Sequence, residues 1–260
     1  EAKARLALPG VRAQLNPEAV AGYLHLGYVA APQCIFAGLQ KLPPATLMAI
    51  ENRRLRQWCY WQLPAYADVA LSEREWRERV AQQLDASVRM QMVSDVPIGA
   101  FLSGGVDSSA VVALMARHTG QPVNTYAIGF AGGAAEAHYN ELPYARRVAQ
   151  LFGTRHREIL VRPDVVSLLP RLLWHMDEPV ADSAFVTTFL VSEFARREVT
   201  VILSSVGGDE LFGGYRRYLG DHYAARYRRL PPWLRHAAAG VAHRLPADRH
   251  GGLLVVRDGP

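Results

Sequence analysis

Residues 103–109, SGGVDSS, combine two glycines, three serines and one aspartate directly after the apolar pair Phe101-Leu102. The apolar run at 96–102 predicts a strand, and residues 107–118 predict a helix. Glycine lets backbone amides approach a ligand closely, while the first amides of a helix lack intrahelical partners and carry the positive end of the helix dipole. Serine hydroxyls add donors. The pattern therefore predicts an anion site suited to a phosphate chain.

Asp107 stands inside this loop and would repel a polyphosphate unless a cation lay between them. Mg²⁺ binds one or two carboxylates together with phosphate oxygens, so Asp107 is a candidate magnesium ligand. The alternative is that Asp107 only caps the helix and the glycines only make a tight turn. Neither the GxxxxGK[ST] loop nor the GxGxxG fingerprint occurs in this chain.

A second glycine-rich stretch, SSVGGDELFGGY at 204–215, follows the short apolar run 199–203. Gly207 and Gly208 permit close backbone approach, and Asp209 and Glu210 bring two carboxylates. Asp209 is interpreted as functional. For Glu210 a catalytic or metal-binding role stands beside a plain first-turn acid favoured by the helix dipole.

Strands and helices are expected to alternate after residue 72. Ser72 and Glu75 form a capping-box pattern that predicts a helix to about residue 92, and Asn140 is expected to cap a later helix. The remaining expected elements are strands at 96–102, 123–130, 155–161 and 199–203 and helices at 107–118, 140–152, 163–176 and 183–197. This alternation predicts an α/β fold, a doubly wound parallel sheet with helices on both faces. Right-handed crossovers would place both glycine-rich loops at one sheet edge.

The composition of the chain excludes fewer possible functions than the motifs do. The chain has 260 residues, half of them hydrophobic, and a net charge of +5, which suits an anionic substrate or weak nucleic-acid contact without deciding between them. Lys3 and Lys41 are the only lysines. Two cysteines, Cys34 and Cys59, make neither a disulfide framework nor a zinc site. No apolar run approaches the length of a membrane span, and the first residues lack a signal-peptide pattern.

SGGVDSS resembles the pyrophosphate loop of the N-type ATP pyrophosphatases. Three further stretches, at 139–158, 176–183 and 207–218, resemble glutamine-dependent asparagine synthetases and asparagine-synthetase-like amidotransferases. The resemblance implies a sheet of the ATP-pyrophosphatase type and a cytoplasmic ligase that uses ATP and Mg²⁺. Such an enzyme adenylates a carboxylate such as aspartate, releases pyrophosphate and then lets ammonia displace AMP. It also implies no membrane or nucleic-acid partner, and a homodimer as one possible assembly.

The resemblance assigns site residues by their positions in this sequence. It implies Asp107, Asp209 and Glu210 as catalytic and Asp107 and Asp209 as magnesium ligands. The implied ATP-binding residues are Leu102, Ser103, Gly104, Gly105, Val106, Asp107, Ser108, Ser109, Ile128, Ser204, Ser205, Gly207 and Gly208.

Several residues keep open alternatives. Ile128 could equally serve core packing, and Arg216 or Arg217 could lie near phosphates or on a solvated surface. Glu141 could pair with the helix dipole or take a metal or substrate role. Asp177 and Glu178 could be acids of a substrate pocket or exposed loop charges.

The loop at 204–210 departs from the family pattern. Asparagine synthetases usually carry a glycine and then an acid before GGDE, where this chain has Ser205 and Val206. That acid is thought to handle the incoming amine, so Val206 is expected to weaken amide synthesis.

Three segments are expected. Residues 1–61, with a hairpin at 46–50 and 55–61, resemble the tail of a glutaminase domain, 62–71 form a linker, and 72–260 form a synthetase domain that is incomplete at its C-terminus. The resemblance implies an N-terminal cysteine as the nucleophile of the family's glutaminase, whereas residue 1 here is Glu1, so ammonia would come from a missing or partner glutaminase domain. Two alternatives stay open: a catalytically impaired nucleotide-binding remnant or subunit, and a cyclase that uses an amine in place of ammonia.

Overall fold

The computed structural model describes residues 2–65, 69–131, 140–162, 164–182 and 184–242. These residues belong to two compact units, 1–204 and 205–260. Tyr139, Pro163 and Ser183, which the sequence motifs and expected helices include, lie outside the described residues, as do residues 243–260.

The chain begins with two helices and a hairpin. Helix α1 spans Ala2–Leu6 and α2 spans Pro17–Leu26, while strands β1 (Thr46–Glu51) and β2 (Arg54–Cys59) pair antiparallel. Asn52 and Arg53 between the strands both have positive φ, 49° and 61°, as a two-residue type I′ turn requires. The predicted hairpin is confirmed, and every residue of β2 is exposed.

The segment before the hairpin has a small core that the sequence did not predict. Ala19, Val29 and Ile35 are buried together, with Val20, Tyr23 and Phe36 packed around them. We call residues 2–41, which contain this core, the N-terminal segment.

A four-stranded parallel sheet organises the rest of the first unit. Its strands are β3 (Ile98–Phe101), β4 (Asn124–Phe130), β5 (Arg155–Val161) and β6 (Val201–Leu203), in the order β5-β4-β3-β6. The bounds predicted for β5 are confirmed, while β3 and β6 are shorter than predicted because ladder pairing is limited to 98–101 in β3 and to 201–203 in β6. Non-consecutive neighbours in this order confirm the doubly wound parallel sheet.

Five further helices belong to the described part of the first unit. They are α3 (Glu73–Gln91), α4 (Val106–His118), α5 (Leu142–Leu151), α6 (Val165–Met176) and α7 (Ala184–Ala195). Ser72 and Glu75 form the predicted capping box at the start of α3. At α5 the prediction needs correction, because Glu141 occupies the N-cap position, although the Asn140 side chain still accepts the Leu142 amide at 3.1 Å.

Both faces of the sheet are covered, as the alternation of side chains along the strands requires. Ala100 and Leu102 belong to the core beneath α3, α4 and α5, while Phe101, between them, packs into the opposite core with Tyr126 and α7. The stretch that precedes the 103–109 loop is thus anchored from both sides.

The second unit contains three helices in its described part: α8 (Gly208–Phe212), α9 (Arg216–Arg228) and α10 (Pro232–Ala242). The Tyr227 hydroxyl donates to the Arg235 carbonyl at 2.8 Å and so links α9 to α10. Across the described residues of both units, none of the helices has the length and apolarity that crossing a bilayer demands.

Candidate nucleotide-binding site

Two serines of the 103–109 loop hydrogen-bond to each other and to the backbone of the loop. The hydroxyls of Ser103 and Ser108 lie 2.9 Å apart. The Ser103 amide donates to Ser108 Oγ at 3.3 Å, and the Gly105 amide donates to Ser103 Oγ at 3.2 Å. Ser108 Oγ also donates to the Gly105 carbonyl at 3.3 Å. These two hydroxyls therefore shape the loop, whereas the sequence had suggested them as donors to an anion.

Helix α4 starts in this loop without a side-chain cap. Gly105 is its N-cap, and its first internal bond runs from the Ser109 amide to the Gly105 carbonyl at 3.0 Å. Other helices of the same unit are capped, α2 by Asn16, α3 by Ser72 and α6 by Asp164. The amides of 106–108 are thus left without a capping side chain, which is the arrangement in which a helix N-terminus binds phosphate oxygens.

Ser109 differs from its two serine neighbours. Its hydroxyl oxygen is buried and has no hydrogen-bond partner among the described residues. A buried polar atom without a partner costs stability, so a ligand that satisfies it would gain binding energy. This orphaned oxygen in the first turn of α4 is consistent with a ligand at the loop.

Gly104 is required by packing. Its φ is +84°, and a Cβ placed on it would stand 2.5 Å from the Tyr144 Cβ and from the Ala145 amide nitrogen. The sequence interpretation, that both glycines admit a ligand, therefore needs refinement, because Gly104 admits the first turn of α5. A Cβ on Gly105 would approach only the Ser103 hydroxyl, at 3.3 Å.

Leu102 and Ile128 both contribute to the core. Leu102 is 1% exposed, and its amide donates to the Tyr126 carbonyl at 2.9 Å, so only its backbone remains for a nucleotide. Ile128 packs with Val191 in the core on the other face. Ile128 thus contributes to core packing, as one of the two alternatives predicted. A contact between Ile128 and a nucleotide stays a prediction.

Asp107 lies in the first turn of α4 and is partly exposed. Among the described residues no group of three or more His, Cys, Asp or Glu side chains could hold a metal ion. Binding of nucleotide-associated Mg²⁺ by Asp107 stays a prediction.

In the second unit the acids of the GGDE stretch are engaged locally. A Cβ on Gly214 would collide with Asp209 Oδ1, and the Gly214 amide donates to the Asp209 carbonyl at 2.9 Å. The Tyr215 hydroxyl donates to Glu210 at 2.7 Å and holds the pKa of that carboxyl below its usual value. The side chain of Val206 is 90% exposed, and Gly207 has a φ of +106°. Roles for Asp209 and Glu210 in catalysis stay predictions.

Asp177 and Glu178 are bound by the N-terminal segment. Asp177 accepts the Ala2 amide at 2.8 Å and pairs with Lys3 at 2.5 Å, and Lys3 holds the pKa of Asp177 below its usual value. Glu178 accepts the Ile35 amide at 2.7 Å and pairs with Lys41 at 2.5 Å. In the structure both acids take part in a contact inside the first unit, in place of the two alternatives of a substrate pocket and exposed loop charges. The rarity of lysine in this chain is the only feature of the sequence that could have indicated this contact.

Glu141 is an exposed residue that makes no side-chain cap bond at the start of α5. Desolvation of its carboxyl group raises its pKa. The Glu141 carboxylate has no hydrogen-bond or ion-pair partner among the described residues, and its role stays open.

The family model for asparagine synthase matches residues 79–256, which include the 103–109 loop, all of the parallel sheet and the GGDE stretch. The chain belongs to the asparagine synthase family. The match begins after the hairpin, so the N-terminal segment and the hairpin lie outside it.

Curated relatives of the asparagine synthase family extend the similarity over nearly the whole chain. A putative glutamine-hydrolysing asparagine synthetase 2 of Methanocaldococcus jannaschii is 36% identical over 90% of this chain and 44% of its own length. Asparagine synthetase 1 of Bacillus subtilis is 29% identical over 94% of this chain and 38% of its own length. The chain thus spans less than half the length of these relatives. A solved NH3-dependent NAD synthetase from Campylobacter jejuni matches 53% of this chain and 60% of its own, at 16% identity and a TM-score of 0.36.

Proposed function

We propose that the chain is the nucleotide-binding part of a cytoplasmic asparagine-synthetase-like ligase that binds ATP with Mg²⁺ at 103–109. The observation that carries the proposal is the start of α4: the amides of 106–108 have no capping side chain, next to the orphaned Ser109 hydroxyl. The triphosphate would accept from these amides. Asp107 would bind Mg²⁺, and Asp209 is proposed as a second magnesium ligand.

The proposed reaction has two balanced steps. A substrate carboxylate oxygen, aspartate being the candidate, attacks the α-phosphorus of ATP, and the bond to the bridging oxygen breaks to release pyrophosphate. Ammonia then attacks the acyl carbon, loses a proton, and AMP leaves to give the amide. The chain's own contribution is to hold the phosphates by backbone amides, which stabilise the charge that passes to pyrophosphate.

We further propose that 1–61 is the tail of a glutaminase domain and 62–71 a linker. Two features support this division: the asparagine synthase match begins only at residue 79, and the hairpin exposes β2 throughout. An isolated two-stranded hairpin is marginal in water, so it is expected to pair with further chain.

A catalytically impaired nucleotide-binding subunit is the second candidate, because Val206 stands where the family usually has an acid. An isopropyl group can neither bind an ammonium nor take its proton, and proton transfer of this kind contributes about 10²–10⁴-fold in rate. A cyclase, in which a substrate amine replaces ammonia, would carry out the same adenylation step on a different acid.

Trapping of acyl-AMP with a panel of acids separates these functions. An adduct with aspartate that ammonia converts to the amide supports the synthetase, and an adduct formed only with a peptide or another amine-bearing acid supports the cyclase. An adduct that ammonia does not convert, or ATP binding without any adduct, supports the impaired subunit. The chain extended by the C-terminal half of an asparagine synthetase then tests Val206. The double substitution Ser205→Gly with Val206→Glu should raise the rate of amide formation at least tenfold. If the extended chain with Ser205 and Val206 forms the amide as fast as this variant, Val206 does not impair the reaction.

A further inference from the structure

Residues 177–181, in the connection between α6 and α7, are bound at three places by the N-terminal segment. Lys3 and the Ala2 amide bind Asp177, while Lys41 and the Ile35 amide bind Glu178. The Ala181 amide donates to the Gly27 carbonyl at 2.8 Å. These contacts join parts of the chain that are more than 130 residues apart in sequence.

The side chains of the two ion pairs are partly buried. Side-chain exposure is 18% for Lys3 and 17% for Asp177, and 33% for Lys41 and 13% for Glu178. Removal of one partner from a pair at this depth leaves a charge poorly solvated, so the cost exceeds that for a surface pair. The only two lysines of the chain are therefore both used to hold two consecutive acids.

The backbone of the connection is held in a conformation that it would not adopt freely. Asp177 has a φ of +63°, a region that residues with a side chain rarely occupy and that costs energy. The Lys3 and Ala2 contacts are made by this same residue. Release of the contacts would therefore let the backbone relax where the connection leaves α6.

Helix α7 links the connection to the strands that carry the 103–109 loop. Its Val191 and Ala195 lie in one buried cluster with Tyr126, and Phe101 and Ile128 pack against that cluster. Phe194 meets Tyr126 edge to face, with ring centroids 6.0 Å apart. The C-terminal half of α7 thus belongs to the cluster against which Phe101, two residues before Ser103, packs.

We propose that the Lys3–Asp177 and Lys41–Glu178 pairs form a latch through which the N-terminal segment positions α7 and, through α7, the 103–109 loop. The four residues are positioning residues that touch neither nucleotide nor acceptor. The latch itself is independent of the reaction; its effect on the loop rests on the proposed nucleotide function.

Hydrogen exchange on the chain without nucleotide tests the latch. Lys41→Met should speed exchange of the Ile35 and Ala181 amides at least tenfold and of α7 amides at least threefold. Glu178→Gln, which keeps an acceptor for the Ile35 amide but loses the charge, should do the same, and Lys41→Arg should restore wild-type rates. The control is Glu78→Gln, which removes an exposed pair with Arg74 and should change none of these amides. Unchanged α7 exchange in both latch variants would overturn the latch, and if Lys41→Met fails to fold, Glu178→Gln decides.

The affinity for ATP with Mg²⁺ tests the second step. Lys41→Met should weaken binding at least threefold, and Glu78→Gln should leave it unchanged. Faster α7 exchange with unchanged affinity would overturn the coupling to the loop while the latch stands. If the wild-type chain binds no ATP, the proposed function and the coupling both fail, and the exchange data still decide the latch.

Discussion

Gly104 and Tyr144 lie so close that a Cβ on Gly104 would stand 2.5 Å from the Cβ of Tyr144. The first turn of α5 therefore rests directly on the 103–109 loop. Since Gly104 also has a φ of +84°, its backbone shape and its neighbour both require glycine. Its neighbour Gly105 has an ordinary φ of −67°. The two glycines of the loop are thus expected to serve different purposes, the first for folding and the second for the ligand.

Alanine substitutions should separate these purposes. Gly104→Ala should lower the free energy of unfolding by about 1–3 kcal/mol through overpacking, before any strain in φ is added. Gly105→Ala should cost no more than about 1 kcal/mol, since it exchanges one residue for another at an N-cap, but its methyl group would crowd phosphate oxygens at the amides of 106–108. Urea unfolding and calorimetry with ATP and Mg²⁺ measure both. Equal stability of the two variants would contradict the account of Gly104.

The serines of α4 provide a second matched pair. Ser108→Ala removes bonds to Ser103 and Gly105 and should destabilise the fold by about 1–3 kcal/mol, because their partners are left unsatisfied. Ser109→Ala removes an oxygen without a partner among the described residues, so the melting temperature should stay the same or rise while ATP affinity falls. A lower melting temperature for Ser109→Ala, with unchanged affinity, would show that its hydroxyl has a purely structural role.

Local patterns predicted much of the fold. The bounds of β5 at 155–161 and the capping box at Ser72 depend on neighbouring residues, and both are confirmed. The packing of Tyr144 on Gly104 and the binding of Glu178 by Lys41 join distant parts of the chain, and a single sequence does not show which distant residues form such pairs. The same limit explains why a small core around Ala19 went unpredicted.

Asp107 should matter to nucleotide binding only when a metal is present. Asp107→Asn keeps the size of the side chain and its capacity to cap a helix, but it loses the charge that binds Mg²⁺. We expect ATP affinity to fall at least tenfold with Mg²⁺, and to stay unchanged or rise in EDTA, where the charge of Asp107 repels the polyphosphate. An equal loss in both conditions would assign Asp107 to the loop's structure.

The two thiols should differ in reactivity. Cys34 is buried, and burial raises the pKa of its thiol, so the thiolate that reacts is scarce at neutral pH and increases only as pH rises toward that pKa. Cys59 is exposed, and its thiol donates to the Trp61 carbonyl at 2.9 Å. Iodoacetamide at pH 7 should label Cys59 first, with Cys59→Ser isolating the slow reaction of Cys34. Neither thiol is expected to support glutamine hydrolysis, and glutamate release that Cys34→Ala abolishes would contradict this.

Hydrogen exchange of the wild-type chain with and without ATP and Mg²⁺ tests the central claim most directly. Phosphate oxygens bound by the start of α4 should slow exchange of the 106–108 amides at least tenfold, while the hairpin at 46–59 stays unchanged. Gly105→Ala should abolish the protection at the same nucleotide concentration. Saturable ATP binding that leaves the 106–108 amides unprotected would place the nucleotide elsewhere and contradict the account.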